Sequence, residues 1–459
     1  MTLQYFKPQG PYFAGDCMPF DDQGTFRLFY LLDEQHHTAL GGLGGHQWAQ
    51  ASSTDLVHWQ HHPLAIAITN EGEGSICTGS VFSHAGTYYG FYATRWRDYT
   101  QHLGLAISHD AVHFEKTEPN PLASPPPGYD PLDYRDPVVF REAGTELFHL
   151  LVTASLTDWP LGGRGGCLAH LVSRDLQQWE RQEPFLIPGL PGAPECPDYF
   201  EWNGWYYLVF SNMGITRYRM AREPLGPWQR PPVDTLDGPA ARVMKTAAFG
   251  ANRRLGVAWL GTRRGDVDDG EFQFGGNVVF REIVQHADGT LGAKFPAEMA
   301  LPGAPVADWQ VAALTGEARA EGRTIHVTAR AGLAAANVAG IPRNVRLKVH
   351  VRPAPGAFGF GLRFGGEAPF ESGYHLHLAP QAQAVTLQQQ QLWAVTGLYQ
   401  PFTLEVVLWD DIIDVCVDDR RTVLDRCPER RGDQVMAYVE DGEVAFELVE
   451  VTALAERGD

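Results

Sequence analysis

Hydrophobic and polar residues alternate with a period of two along most of this chain, which predicts β-strands rather than helices. The clearest of these segments follow a turn that carries Gly or Asn and are rich in aromatic and β-branched residues. Helical periodicity is nearly absent, and 49 Gly and 32 Pro provide turns between the strands. The pattern therefore predicts an all-β protein.

One turn-and-strand unit recurs five times. The copies are QGTFRLFYLL (23–32), AGTYYGFYAT (85–94), AGTELFHLLVT (143–153), NGWYYLVFSN (203–212) and NRRLGVAWLGT (252–262). A strand-rich repeat of this kind is typical of propellers, in which a four-stranded blade takes about 40–50 residues. Five copies with somewhat longer loops predict a five-bladed β-propeller.

A second signature follows the first four copies. It reads SSTDLVHW (52–59), ISHDAVHF (107–114), VSRDLQQW (172–179) and, in a weaker form, REPLGPW (222–228). In the first three, an Asp precedes an aromatic residue by four positions: Asp55, Asp110 and Asp175. We expect a tight turn that is closed by the Asp, with the aromatic side chain packed beneath it.

The 459 residues are too many for one ordinary domain. The composition changes near residue 300, where MALPGAPVADW (299–309) has the character of a linker or strap. Beyond it, alternating runs such as VRLKVHVRP and FGFGLRFG indicate antiparallel strands of a β-sandwich. The predicted domains are therefore a propeller over residues 1–300 and a β-sandwich over 301–459.

Charge and composition exclude several classes of partner. The formal net charge of −19 has the wrong sign for a nucleic-acid binder. The first residues show no signal-peptide pattern, and no run of 18 apolar residues occurs, so we expect a cytoplasmic protein without membrane contact. The six Cys form no CxxC pair and the 17 His form no HExxH motif. No metal and no cofactor are therefore expected.

Three short acidic motifs accompany the repeats: GDCMPF at 15–20, YRDP at 134–137 and ECPD at 195–198. Asp16, Asp136 and Glu195 fall at similar places in their repeats, so a radial arrangement brings them to one axis. Glycosidases need one carboxylate as nucleophile or base and one carboxylic acid as proton donor. A third acid can bind substrate hydroxyls, so the motifs predict catalysis on a small saccharide.

Several stretches then carry a family resemblance. HQWAQASSTDLVHWQHHPLAI (46–66) is similar to a segment of the pattern HWGHAxSxDLxxW, and CTGS (77–80) is similar to the motif FSGS. YRDP and ECPD contain the motifs RDP and EC. Over essentially its full length the chain resembles glycoside hydrolase family 32, the group of invertases, inulinases and levanases. That resemblance implies a five-bladed propeller followed by a β-sandwich.

The resemblance also implies a mechanism and a set of site residues. It implies a retaining β-fructofuranosidase in which Asp16 is the nucleophile, Glu195 the acid/base and Asp136 the transition-state stabiliser. The residues that it assigns to substrate binding are Arg135, Trp48, Ser80 and Cys77. Under this interpretation residues 1–300 form the catalytic domain.

The first motif departs from the family pattern WMNDPNG. Asp16 is retained, but Gly15 stands in place of the Asn and Cys17 in place of the Pro. The lost amide removes a hydrogen-bond partner for the sugar, so we expect plain sucrose to be a poor substrate. A fructoside that makes other contacts, or that fits the vacated space, should be better.

Two other functions fit the residues. An arabinofuranosidase- or xylosidase-like five-bladed glycosidase would use the same acids but invert configuration. Carboxyl groups about 5–5.5 Å apart are typical of retaining enzymes, and about 6.5–9.5 Å of inverting ones. A non-catalytic carbohydrate-binding propeller is the second alternative. Whichever function applies, the sandwich domain is the candidate site of contact between subunits of a homo-oligomer.

Overall fold

The structure, a computed structural model of the chain, describes residues 4–330, 332–365 and 373–455. Its regular structure is almost entirely β, as predicted. The short helical turns are α1 (Ala39–Gly42) and three 3-10 turns at Arg264–Asp266, Ala297–Met299 and Pro380–Ala382. Across the described ranges, no helix has the length and apolar character that crossing a bilayer requires.

The first part of the chain forms five antiparallel blades. In chain order their strands are β1 (Phe13–Asp22), β2 (Thr25–Asp33), β3 (Gln47–Ser53) and β4 (Gln60–Ile66); β5 (Glu73–His84), β6 (Thr87–Trp96), β7 (Gln101–Ser108) and β8 (Glu115–Lys116); β9 (Tyr129–Arg141), β10 (Phe148–Leu156), β11 (Gly166–Ser173) and β12 (Glu180–Arg181); β13 (Glu195–Trp202), β14 (Trp205–Asn212) and β15 (Ile215–Ala221); and β16 (Arg242–Phe249), β17 (Arg253–Arg263), β18 (Phe272–Gln285) and β19 (Leu291–Lys294).

The first strand of each blade lies innermost. β1, β5, β9, β13 and β16 contact one another in a closed ring around a common axis. The repeated aromatic segment of the sequence forms the second strand of each blade, so the acidic motifs lie on the innermost strands. The predicted five-bladed propeller is confirmed.

The second repeated signature forms the predicted turn. The carboxylate of Asp55 accepts the backbone N–H groups two and three positions later, at 2.9 and 2.8 Å. Asp110 and Asp175 close the corresponding turns of the next two blades in the same way. Trp59 packs edge-on against Phe26 of its own blade, whereas Phe114 and Trp179 pack edge-on against Phe29 and Phe91 of the preceding blade.

The ring is closed by pairing between its first and last blades. β1 pairs with β18 at Ala14 and Gly276, so these two blades form one continuous sheet. The segment before β1 adds to this closure, because the carbonyl of Phe6 accepts the N–H of Val278 at 2.7 Å.

The remaining strands form a β-sandwich. They are β20 (Gly303–Pro305), β21 (Gln310–Thr315), β22 (Glu317–Glu321), β23 (Thr324–Ala329), β24 (Ala334–Ala339), β25 (Val345–Pro353), β26 (Phe358–Phe364), β27 (Tyr374–Ala379), β28 (Ala384–Leu387), β29 (Gln390–Leu392), β30 (Phe402–Trp409), β31 (Ile412–Val417), β32 (Arg421–Arg426) and β33 (Val435–Leu454).

The two sheets of the sandwich share the 20-residue strand β33. Its first half pairs with β24 and β26, and its second half pairs with β23 and β25. Their inward side chains form the largest apolar cluster of the protein. β20 lies in the segment expected to be a linker and also pairs with β33. The predicted limits of the two domains, 1–300 and 301–459, stay predictions.

A buried ionic cluster joins the propeller to the sandwich. The fully buried guanidinium of Arg281 donates to Asp237 at 2.6 Å within the propeller and to Asp414 of β31 at 2.8 Å. The hydroxyl of Tyr5 donates to Asp414 at 2.7 Å. Burial raises the pKa of Asp414 to about 6, although Arg281 acts in the opposite direction. The two parts are therefore fixed together by charge as well as by apolar packing.

Candidate active site

Each of the five innermost strands contains a β-bulge at the equivalent place. The residues within the bulges are Gly15–Asp16 in β1, Thr78 in β5, Asp136–Pro137 in β9, Cys196–Pro197 in β13 and Val243–Met244 in β16. A bulge inserts one extra residue into the strand, bends it and turns side chains out of the regular alternation. The five bulges point to one end of the propeller axis.

Backbone conformation marks three of these bulges. Asp136, Cys196 and Val243 have φ values of 53°, 51° and 54°. Positive φ is uncommon for residues other than glycine, and for a β-branched residue such as Val243 it is an outlier. Such conformations are found where the surrounding structure imposes them, often at functional sites.

The bulges surround a cavity of about 280 Å³. Asp16, Asp136 and Glu195, which lie up to 179 positions apart, all line it. Asp16 and Asp136 lie within bulges, whereas Glu195 immediately precedes one. The three acids thus share one site but occupy adjacent rather than identical positions of the repeat.

Asp16 is buried and its carboxylate is held by three donors. The hydroxyl of Thr78 donates to Oδ2 at 2.6 Å, and the indole Nε1 of Trp259 donates to Oδ1 at 2.8 Å. The thiol of Cys196 lies 3.5 Å from Oδ2. Burial raises the pKa of Asp16, and the donors offset part of that effect. The carboxylate therefore has a fixed orientation.

Cys196 links the two aspartates. Its thiol contacts Asp16, and its backbone N–H donates to Oδ2 of Asp136 at 2.9 Å. This N–H is free for a side-chain acceptor because the bulge removes it from the regular ladder. Cys196 directly follows Glu195. The dipeptide 195–196 therefore contains one of the three acids and contacts the other two. Burial strongly raises the pKa of the Cys196 thiol, so it stays protonated as a donor.

Glu195 is the most accessible of the three acids. Its side chain is 37 % exposed, and Oε1 accepts from Nη2 of Arg135 at 2.8 Å. Removal from bulk water raises the pKa of Glu195; Arg135 lowers it, and the charge of Asp136 raises it further. A carboxyl group with a raised pKa at the mouth of a cavity is suited to proton donation near neutrality.

Arg135 neutralises part of the acidic cavity. Besides Glu195 it forms ion pairs with Asp133 and, at 3.6 Å through Nε, with Asp136. Arg135 and Asp136 are neighbours on β9, yet both line the cavity. On a regular strand they would face opposite ways, and the bulge that begins at Asp136 is the reason that they do not.

The four residues predicted to bind substrate separate into two groups. Arg135 and Cys77 line the cavity. Trp48 and Ser80 are not among its lining residues, which corrects the prediction for both. Trp48 lies on β3, two strands from the axis, where it is fully buried and donates its indole N–H to the carbonyl of Cys77 at 2.8 Å. It supports the wall from behind.

Ser80 is buried in β5 beyond the bulge at Thr78, and its hydroxyl has no hydrogen-bond partner among the described residues. Because Thr78 is the extra residue, it takes the place at the cavity that a regular strand would give to a neighbour. The CTGS motif therefore contributes Cys77 and Thr78 to the site, and Ser80 to the packing beneath it.

Sequence reasoning missed several lining residues. They are Thr78, Trp259, His37, His46, Arg95, Arg242 and Phe274. Thr78 lies in CTGS (77–80) and His46 begins the segment 46–66, but no spacing rule distinguishes either residue from its neighbours. Trp259 lies on the repeated strand of the fifth blade, where its aromatic character suggested only packing.

The space beside Gly15 is occupied. A Cβ at this position would come within 2.7 Å of two ring carbons of Phe274. The ring also stacks on His46, with centroids 4.9 Å apart, and contacts Trp259. The expectation that the missing Asn leaves room for substrate is therefore wrong: an aromatic side chain of β18 fills that space.

The described residues contain no group of three or more His, Cys, Asp and Glu side chains arranged to hold a metal ion. The six cysteines are free and buried. The chemistry that the site offers is that of three carboxyl groups: a fixed, buried Asp16, a Glu195 with a raised pKa at the mouth of the cavity, and a hydrogen-bonded Asp136.

Comparisons with known proteins give matches to one family of glycosidases. Residues 7–224 match the glycosyl hydrolases family 32 N-terminal domain. Sucrose-6-phosphate hydrolase from Escherichia coli is 32% identical over 207 residues, which span 43% of this chain and 40% of that protein. Raffinose invertase from Escherichia coli is 28% identical over 216 residues, or 42% of this chain and 40% of that protein. The chain thus aligns with less than half the length of these curated relatives.

Solved structures show the same fold over a longer range. Fructan 1-exohydrolase IIa from Cichorium intybus superposes with a TM-score of 0.74 and 16% identity, covering 99% of this chain and 98% of that one. A Bombyx mori GH32 β-fructofuranosidase gives a TM-score of 0.69 and 17% identity, covering 97% and 94%. Residues 7–224 of this chain therefore form a glycosyl hydrolases family 32 N-terminal domain, and the chain as a whole has the fold of these solved structures.

Proposed function

We propose that this protein is a glycosidase that hydrolyses β-fructofuranosides of small saccharides with retention of configuration. The observation that carries the proposal is the convergence of Asp16, Asp136 and Glu195 on one cavity, with both aspartates bonded to Cys196. The names of the curated relatives, which include a sucrose-6-phosphate hydrolase, a raffinose invertase and a levanase, support a fructosyl substrate.

In the first step, Asp16 is the nucleophile. Its buried carboxylate is held by Thr78 and Trp259, so a lone pair has a fixed direction toward the anomeric carbon of a bound fructosyl unit. A bond forms between the Asp16 oxygen and that carbon while the glycosidic bond breaks. The protonated Glu195 gives its proton to the departing oxygen, and the leaving sugar is released.

In the second step, Glu195 changes from acid to base. Its carboxylate takes a proton from a water molecule, whose oxygen attacks the anomeric carbon and displaces Asp16. The 37 % exposure of the Glu195 side chain gives water access from the mouth of the cavity. Two displacements restore the original configuration.

Asp136 and Arg135 bind rather than react. Asp136 is almost fully buried and its Oδ2 is held by the N–H of Cys196, which leaves the other oxygen to accept from fructosyl hydroxyls. Arg135 balances the negative charge of the cavity and keeps Glu195 oriented. Cys77 contributes a small side chain to the wall beside them.

The test is a panel of sucrose, short fructans, difructose anhydrides and aryl arabinofuranosides, with the anomer of the first product followed by NMR. Release of β-fructofuranose as the first product supports the proposal. A first product whose anomeric configuration is opposite to that of its substrate would indicate the inverting, arabinofuranosidase- or xylosidase-like alternative. Saccharide binding without turnover would indicate a carbohydrate-binding propeller.

Two further predictions concern the protein as a whole. A cytoplasmic location is tested by fractionation of cells that express the native chain. A homo-oligomer formed through the sandwich is tested by light scattering, and a monomeric mass at all concentrations would contradict it.

A further inference from the structure

The fifth blade contributes a cation to the cavity. Arg242 immediately precedes the bulge of β16, which is the position that Glu195 holds in β13 and Arg135 holds in β9. Like them, it lines the cavity. β16 lies in the ring between β13 and β1, so Arg242 lies between the blade of Glu195 and the blade of Asp16.

Within the described part of the chain, Arg242 has no hydrogen-bond acceptor and no ion-pair partner, and its Nε is buried. The other two guanidinium groups at the cavity are engaged. Arg135 pairs with three carboxylates, and Arg95 bonds to the ring of His37 at 2.5 Å and to the carbonyl of Leu43 at 3.3 Å. The Arg242 guanidinium thus lines the cavity without an acceptor for its N–H groups among the described residues.

Two aromatic rings and one glycine define where the guanidinium lies. Its Cζ is 5.8 Å from the ring centroid of Trp259 and 5.5 Å from that of Phe272. A Cβ at Gly214 would be only 3.9 Å from Cζ. Cation–π contacts engage the faces of a guanidinium and leave its N–H edges free for a ligand.

A partly buried, unpaired guanidinium loses hydration without gaining a counter-charge. Burial accordingly lowers the pKa of Arg242. The usual compensation for such a charge is an anion, and the planar N–H fork matches the paired oxygens of a phosphate or a carboxylate. No acidic side chain of the described residues pairs with Arg242, so its N–H groups are available to an anionic ligand.

The neighbouring acid shows which end of the substrate would carry that group. Glu195 protonates the departing oxygen in the proposed reaction, so the leaving group lies beside β13. Asp136, on the far side of β13 from Arg242, takes the fructosyl hydroxyls. We propose that Arg242 binds a phosphate or carboxylate on the leaving group, so that the preferred substrates are fructosides with an anionic leaving sugar. This rests on the proposed function.

The experiment compares three substrates with wild-type protein and with Arg242→Gln. Sucrose has a neutral leaving group, sucrose 6-phosphate has a phosphate, and a fructosyl glucuronide has a carboxylate. For the wild type, kcat/KM should be about tenfold or more higher for at least one anionic substrate than for sucrose, as a charge-assisted hydrogen bond would provide. In Arg242→Gln this ratio should approach one. Arg141→Gln, at an exposed ion pair on β9, is the matched control and should keep the wild-type ratio.

A second measurement separates this inference from the proposed function. Binding of glucose 6-phosphate, glucuronate and glucose is followed by calorimetry, which requires no turnover. Tighter binding of an anionic sugar, lost in Arg242→Gln, supports the anion site even if no fructoside is hydrolysed. Hydrolysis of sucrose with no preference for either anion, in rate and in binding, overturns the anion site and leaves the proposed function intact. Comparison of the phosphorylated with the carboxylated ligands and substrates shows which of the two anions Arg242 prefers.

Discussion

Arg135 and Glu195 occupy the same position before the bulge in neighbouring blades, and their side chains form an ion pair of 2.8 Å across the cavity. The pKa of Glu195 results from opposing effects. Partial burial and the charge of Asp136 raise the pKa of Glu195, while Arg135 lowers it. The pKa of Glu195, the proton donor of the proposed reaction, therefore depends on a residue of the neighbouring blade.

Replacement of Glu195 by Gln should lower kcat on natural fructosides by about 10²–10⁴-fold, because the proton donor is lost while the shape is kept. Substrate binding should persist in calorimetry. A fructoside with a very acidic leaving group should recover part of the rate, since departure then needs little protonation. Glu201→Gln, an exposed position on the same strand, is the control. Near-wild-type turnover of an unactivated substrate by Glu195→Gln would exclude the assigned role.

Replacement of Arg135 by Gln should move the alkaline limb of the kcat/KM profile to higher pH. The sign follows from the cavity: Arg135 lowers the pKa of Glu195, so its removal raises that pKa and keeps the acid protonated to higher pH. The rate itself should fall, because Arg135 also contacts Asp136 and Asp133. The measurement is a pH profile of both proteins. A shift of the limb toward lower pH would contradict the coupling.

Replacement of Asp16 by Asn should abolish turnover and prevent trapping of a covalent fructosyl-protein by mass spectrometry. The folded structure should persist, because the amide keeps one oxygen to accept from Trp259 or Thr78. Circular dichroism and thermal unfolding check this. A labelled intermediate on Asp16 in the wild type, absent from the variant, is the expected result. Label on another residue would assign the nucleophile elsewhere.

Replacement of Gly15 by Ala should destabilise the protein by about 1–3 kcal/mol, the usual cost of overpacking. The added Cβ would come within 2.7 Å of the Phe274 ring. Combining it with Phe274→Leu should remove most of that additional cost, which a double-mutant cycle measures. Gly162→Ala, where a Cβ meets open space, is the control. Simple additivity of Gly15→Ala and Phe274→Leu would show that the two positions do not compete for space.

Replacement of Arg281 by Met should cost about 3–5 kcal/mol of stability, because Asp237 and Asp414 would be left as unpaired buried charges. Denaturant unfolding followed by Trp fluorescence measures the loss. Arg319→Met, at an exposed ion pair, should change stability little. Because the cluster joins propeller and sandwich, we expect the two parts to unfold less cooperatively in the variant than in the wild type. An unchanged midpoint would mean that the cluster contributes nothing net.

Sequence patterns predicted the propeller because strand alternation and the Asp turns are local. Asp55 and its counterparts close turns within three residues, so spacing alone identifies them. The acidic motifs were identified for a similar reason: each lies next to its repeat. What patterns did not predict is the set of bulges, because an innermost strand such as β5 is buried on both faces around its bulge, so that a shift of one position in the alternation is not visible in the sequence.

The errors follow from this difference. Trp48 was assigned to the cavity from a resembling motif, but it lies on the third strand of its blade and supports the wall. Arg242 was missed because the fifth repeat carries neither an acidic motif nor the Asp turn. Phe274 was missed because nothing in β18 indicates that its ring replaces a side chain at position 15. Each depends on contacts between distant segments.

The bond between Asp16 and Trp259 joins residues 243 positions apart. Asp16 leaves the ribosome long before Trp259, which follows only when the fifth blade has been translated. Until then the first strand lacks both its closing sheet and the donor that orients the carboxylate. Contacts of such long range also slow folding, since the chain must close a large loop before they form. A nascent chain that ends before blade five should therefore be catalytically silent, and the enzyme should gain activity in a single late step of its synthesis.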